Sequence, residues 1–243
     1  MADQSNHAGM PSMSRRLTFI AAASCLFGVS MRKAMTAAPD VREIDLPAFD
    51  KLSLQVPADV EIVIGEKNHA RIEAELKVVD SIDFRARGGA LQVVARRSFE
   101  TRERIHIRIT CRSLVALEAH ASVDATLSDL GGERLSLSAA DSATVSLERL
   151  NLSVLEADIA GSATVTASGK VRMQTVRIGG AGGYDARRLE SQTVVVDASG
   201  SSDVVIDSRD SLDAKVSGAA TVQYSGNPKL KQSVDGAGTL ERR

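Results

Sequence analysis

The sequence predicts an all-β chain: a parallel, right-handed β-helix solenoid of about 18–20 residues per coil, entered through irregular N-terminal coils or a cap. Three observations carry this. Clusters of Gly, Ala and Ser recur at a steady interval through the second half of the chain. Apolar and polar residues alternate on both sides of each cluster. Glycine stands at one fixed place in most of them.

Take the middle residue of each cluster as an anchor: Ser122, Ser142, Ser162, Ala181, Ser201, Ala219 and Ala237. Successive anchors are 20, 20, 19, 20, 18 and 18 residues apart. So steady a period marks a solenoid. Three residues before each anchor stand Ala119, Ala139, Ile159, Ile178, Ala198, Val216 and Val234, and five before stand Leu117, Leu137, Ala157, Val176, Val196, Ala214 and Gln232. Three after stand Ala125, Val145, Val165, Tyr184, Val204, Val222 and Leu240. The intervening positions are mostly polar or small, so both flanks have the period-two pattern of strands with one buried face. The three-and-four spacing of a helical repeat is not sustained.

The small clusters are then corners. Gly161, Gly180, Gly200, Gly218 and Gly236 immediately precede the anchor in five coils, with Asp141 and Ala121 in the other two. Glycine adopts positive φ without a Cβ clash, and Asp tolerates it better than most residues. Stacked corners also need small side chains, because the next coil lies only ~4.8 Å away.

The N-terminal half is less regular. "FDKLSLQVPADVEIVIGE", "ARIEAELK", "ALQVVARR" and "RIHIRITCRSLVALEA" alternate and read as strands, with turns at Pro57-Ala58-Asp59, Asn68 and Gly88-Gly89. Phe49 to Leu117 is expected to form the first irregular coils, or a small sheet closing the solenoid, since a bare strand edge invites aggregation. Residues 49–243 read as a single domain and 39–48 as a tail. Residues 1–38 read as an export signal or N-terminal anchor: Arg15 and Arg16 precede an apolar run from Leu17 to Val29, followed by small residues at Ala34, Thr36, Ala37 and Ala38. "SRRLTF" is similar to the twin-arginine export pattern, and Cys25 leaves lipidation open as a further reading. Such a segment associates with membrane before any cleavage, and the mature chain is expected in the periplasm or at the cell surface.

Composition narrows the function. A net charge of −1 lacks the positive field of a nucleic-acid binder, and 3% aromatics leave few stacking platforms for bases or sugars. Alternation turns Cys111 inward as a buried small hydrophobe, so disulfides are not expected to hold the fold. His69, His106 and His120 lack metal-ligand spacing, and no cofactor is expected. Asp124 and Asp203 share a column but stand four coils apart, roughly 19 Å, too far for a glycosidase pair. The threonines of that column, Thr144, Thr164, Thr221 and Thr239, read as an outward ladder.

One segment concentrates charge, "ARRSFETRERIHIRITCR". Arg104, His106, Arg108 and Arg112 fall on one strand face. Two readings stand: a solvated face that discourages edge pairing, or a shallow anion-binding patch formed by Arg104, Arg108 and Arg112 for acidic glycan or lipid headgroups.

The corners "IAGSATV", "ASGSSDV", "VSGAATV" and "VDGAGTL", the earlier "F..L.L..PADVEIVIGE" and the closing "VQYSGNPKLKQSVDGAG" together resemble the bacterial head GIN domain family, labelled putative auto-transporter adhesin. The resemblance runs from Phe49 to Arg243 and is most specific at Tyr224, Gly226, Pro228, Gly236 and Gly238; "IGGAGGYDARRL" departs by being glycine-richer. It implies a parallel β-helix with an exported or anchored N-terminus and brings no catalytic residues. The expected function is a non-enzymatic, exported envelope or cell-surface interaction module, whose partner is an acidic glycan or another envelope component. The rivals are a structural or accessory envelope protein without a ligand and a polysaccharide-active β-helix enzyme.

Overall fold

Period-two alternation produces strands throughout the computed structural model, which describes residues 40–96, 101 and 104–243. The expected export segment lies outside the described residues. The N-terminal half comprises β1 (Asp40–Asp45), β2 (Lys51–Gln55), β3 (Asp59–Ile64), β4 (His69–Ala74), a short helix α1 (Leu76–Val79), β5 (Ile82–Arg87), β6 (Ala90–Ala95) and β7 (His106–Cys111). The repetitive half follows: β8 (Ala116–Ala119), β9 (Asp124–Ser128), β10 (Gly131–Ala139), β11 (Thr144–Ile159), β12 (Thr164–Ile178), β13 (Gly183–Ala198), β14 (Asp203–Val216), β15 (Thr221–Ser225), β16 (Lys229–Val234) and β17 (Thr239–Arg242).

From β8 onward the chain is a parallel β-solenoid. Each coil pairs in parallel with the next, so anchor columns become straight rows: Ala139, Ile159, Ile178, Ala198 and Val216 are register partners in succession. The rows three and five before the anchor, and three after it, are buried through Val216, Ala214 and Val222. A fourth buried row stands one residue after the anchor, at Val123, Ala143, Ala163, Ser202 and Ala220. Its small size is what the inside of a sharp bend requires.

All seven residues before the anchors have positive φ, from 62° at Ala121 and Asp141 to 94° at Gly180. The glycine-rich coil therefore keeps the same bend. Asp141 adds a contact that glycine cannot make: its Oδ2 accepts the backbone N–H of Ala121, one coil below, at 2.9 Å. The second corners of several coils carry positive-φ residues too, among them Asp129, Arg149, Gly169 and Gly226.

Tyr184 and Gln174 bring bulky polar side chains into the rows of small aliphatic residues. The Tyr184 hydroxyl donates to Gln174 Oε1 at 2.5 Å, and Gln174 Nε2 donates to Ser191 Oγ at 3.3 Å. All three are buried and bonded, which removes the penalty of placing polar atoms in the core. Burial pushes the Tyr184 phenol well above its ordinary range.

The N-terminal half is both a coil and a cap. β2 and β3 form a full coil, but it is not followed by its sequence neighbours. β2 lies between β8 and β6, and β3 lies between β9 and β7, all in parallel. Beyond them the pairing turns antiparallel, with β4 on β7, β1 on β4 and β5 on β6. The β5–β6 hairpin closes through Gly88-Gly89, both at positive φ, as a two-residue turn between right-twisted strands demands.

Two expectations need correction here. Residues 40–45, expected within the 39–48 tail, are a strand, because β4 offers an open edge and Ile44 packs against the core. "ARIEAELK" is a strand only to Ala74; the chain then turns through α1, which buries Val78 and Val79 against the end of the solenoid.

Candidate functional site: a charged groove

Strand alternation and parallel register assemble one open groove of about 770 Å³ on the outer face of β9, β3, β7 and β4. On β3, Val60 and Ile62 point inward, so Asp59 and Glu61 point out. On β7, Ile107, Ile109 and Cys111 are buried, so His106 and Arg108 point out. β9 contributes Asp124, Thr126 and Ser128, β4 contributes Arg71 and Glu73, and Glu148 closes one side.

The register makes two cross-strand rows. Asp124, Asp59, His106 and Glu73 form one; Thr126, Glu61, Arg108 and Arg71 form the other. Each row contains a like-charge neighbour pair, Asp124 beside Asp59 and Arg108 beside Arg71. Like charges directly opposite one another repel, and both pairs are relieved locally. Arg104 Nη1 bridges Asp59 Oδ1 at 2.6 Å and Asp124 Oδ2 at 3.1 Å. Arg108 reaches Glu61 at 3.3 Å, and Arg71 reaches Glu73 at 2.7 Å and Glu43 at 3.7 Å. His106 Nδ1 lies 3.5 Å from Asp59 Oδ2. The hydrogen bonds that Arg104 donates to Asp124 and Asp59 hold its guanidinium even more firmly protonated than usual.

The three arginines expected to form an anion patch are thus placed differently from a free basic line. Arg104 and Arg108 face the groove, each bonded to carboxylates. Arg112 lies away from it: its Nε donates to the Glu66 carbonyl at 2.6 Å and its backbone N–H donates to Asn68 Oδ1 at 3.2 Å. In the groove five carboxylates face three arginines and one histidine. The physical reason is the inserted coil, which lays the acidic outer face of β3 beside the basic outer face of β7. The run of arginines was visible in the sequence; the acids that Arg104 bridges are Asp59, 45 residues earlier, and Asp124, 20 residues later.

Elsewhere the outer face is regular. Asp124, Thr144, Thr164, Gly183, Asp203, Thr221 and Thr239 are successive register partners, the expected ladder. At the second corner Arg149 forks onto Asp129, with two contacts of 2.7 Å, and this pair holds the Asp129 carboxyl below its ordinary value. Corner glycines Gly161, Gly180, Gly200, Gly218 and Gly236 are structural: they lie at the first corner and none lines the groove. Cys111 is buried, and burial pushes its thiol up to about 11. Among the described residues no group of three or more His, Cys, Asp or Glu is arranged to hold a metal ion. No helix among them is long and apolar enough to cross a membrane.

Known proteins with this architecture agree. A putative adhesin from Bacteroides fragilis superposes with a TM-score of 0.77 at 20% identity, covering 84% of this chain and 97% of that one. A putative lipid binding protein from Parabacteroides distasonis gives 0.70 at 18% identity, covering 86% and 98%, and a putative adhesin from Parabacteroides merdae gives 0.66 at 18% identity, covering 86% and 97%. No curated protein sequence matches the chain. The profile of the family described as "Putative auto-transporter adhesin, head GIN domain" matches residues 48–228, from just before the inserted coil to the second corner of the last complete coil, and the chain belongs to that family.

Proposed function

We propose that this protein is a non-enzymatic interaction module of the cell envelope, carried outward by residues 1–38, and that the groove across β9, β3, β7 and β4 is its contact surface for a hydroxyl-rich glycan. The observation that carries the reading is the state of the groove's arginines. Arg71, Arg104 and Arg108 are each bonded to a carboxylate, mostly on a neighbouring strand, in a groove open to solvent. Paired forks and carboxylates are held in place and still have free donor and acceptor positions. Thr126 and Ser128 add hydroxyls. Sugar hydroxyls both donate and accept, so a surface of alternating donors and acceptors suits them. The names of the similar structures, two putative adhesins and a putative lipid binding protein, support an interaction role.

The test is a glycan array carrying neutral and acidic polysaccharides, with anionic vesicles as comparator. It is probed with the wild type and with a Glu61→Gln/Arg108→Ser variant. Retention of neutral glycans by the wild type, lost in the variant, supports the groove. Binding only to acidic glycans, fading with salt and lost in an Arg104→Ser/Arg108→Ser/Arg112→Ser variant, would favour the arginine patch instead. Binding to neither removes the proposal.

A further inference from the structure

The two ends of the solenoid are built differently. At the N-terminal end, antiparallel β1, β4 and β5 together with α1 close the core. At the C-terminal end the last coil is open. Among the described residues β16 pairs only with β14, and β17 only with β15. No described strand lies on their other edges. The core rows, closed elsewhere, stand in solvent here: Leu230 and Val234 are each 42% exposed, whereas their register partners Leu212 and Val216 are 1% and 0%. Gln232 occupies the core face where Ala214 stands one coil below.

From this edge we infer that the last coil docks a second copy of this chain, end to end about a two-fold axis, with β16 antiparallel to its own copy. The edge itself selects the register. Residues on the same face must oppose one another, so pairing centred on Gln232 sets Leu230 against Val234 of the second copy on the core face. On the outer face it sets Lys231 against Ser233, and Lys229 against Asp235. Lys231 is already committed to Asp213 within its own chain, at 2.7 Å. Lys229 and Asp235 make no ion pair with any described residue. The symmetric register therefore joins the free cation of each copy to the free anion of the other, twice. A head-to-tail stack is disfavoured, because α1 already covers the opposite end with Val78 and Val79 buried. The isologous contact closes at a dimer.

Sedimentation velocity of the full chain tests this, at concentrations from about 1 to 100 μM, the range over which a contact of modest size dissociates. The expected species is a dimer. Lys229→Asp and Asp235→Lys should each weaken it about tenfold, since each places two repulsions in the interface. Carrying both substitutions together should restore association. Far-ultraviolet circular dichroism spectra should be unchanged, because both side chains are exposed, which separates a docking defect from misfolding. A monomer throughout the range overturns the inference. So does a dimer indifferent to the charge reversals, or growth beyond two copies.

Discussion

Gly218 lies directly over Gly200: its φ is +73°, and a Cβ on it would stand 2.7 Å from the Gly200 carbonyl oxygen. The same oxygen accepts the N–H of Ala219 at 2.8 Å, so it is held in place by the contact that stacks the corners. Gly218→Val therefore meets both a strained backbone and a fixed obstacle. The expected cost is ~1–3 kcal/mol, read as a shift in denaturant midpoint. Gly88→Ala provides the contrast: φ is +58°, but nothing lies within 4 Å of its Cβ position, so only the backbone strain is felt. Equal losses at the two sites would show that stacking contributes nothing.

Ile159 is 3% exposed in the row between Ala139 and Ile178. Ile159→Asp places an unpaired carboxylate among aliphatic side chains. Burying an uncompensated charge costs on the order of 3–5 kcal/mol. A cooperative loss of folded signal at 37 °C is expected, with Ile159→Val close to wild type.

Asp129 predicts a pH dependence. Its carboxyl is lowered from the ordinary 3.8 by hydrogen bonding to Arg149. A depressed folded-state value means that the contribution is fully present above pH 3.8 and is lost as pH falls through the folded value. Asn at this position lacks it at every pH. The difference in Tm between wild type and Asp129→Asn should be largest near neutrality and should shrink as pH drops below about 3.8. A difference constant with pH would mean that the fork onto Arg149 contributes nothing.

Cys111 should behave as a core residue. With its thiol raised to about 11 by burial, the thiolate fraction at pH 8 falls roughly a hundredfold below that of an ordinary exposed cysteine. In a Cys25→Ser background, native protein should resist a thiol reagent and react stoichiometrically once unfolded. Rapid labelling of the native protein would contradict the inward placement.

The repetitive half was legible because a solenoid writes its contacts at fixed sequence offsets. Ile159 touches residues one period away on either side, so the row of Ala139, Ile159 and Ile178 exists in the sequence before it exists in space. The N-terminal half lacks that regularity. "DVREID" has Val41 and Ile44 out of period-two phase, and it becomes a strand only because β4 supplies an edge. The four residues of α1 are too few to show a helical period. The groove was half legible: alternation turned Arg104, His106 and Arg108 outward as expected. Their neutralisation depended on β3 lying between β7 and β9, which no local pattern encodes. The open last coil was hidden for a related reason. Val234 fits its column as well as Val216 does, but no described strand covers its other side and it stays 42% exposed.

The insertion of β2 and β3 between later strands also imposes an order of events. Each coil after β9 can close on a neighbour 18–20 residues behind it, a short loop that can be added coil by coil. Residues 51–64 have no such neighbour when they leave the ribosome. Their parallel partners lie in residues 90–128 and arrive much later. Long-range pairing of this kind is slow. Residues 51–64 are therefore enclosed only once the chain has reached Ser128, and a nascent chain that stops short of it has acidic and basic strands but no groove.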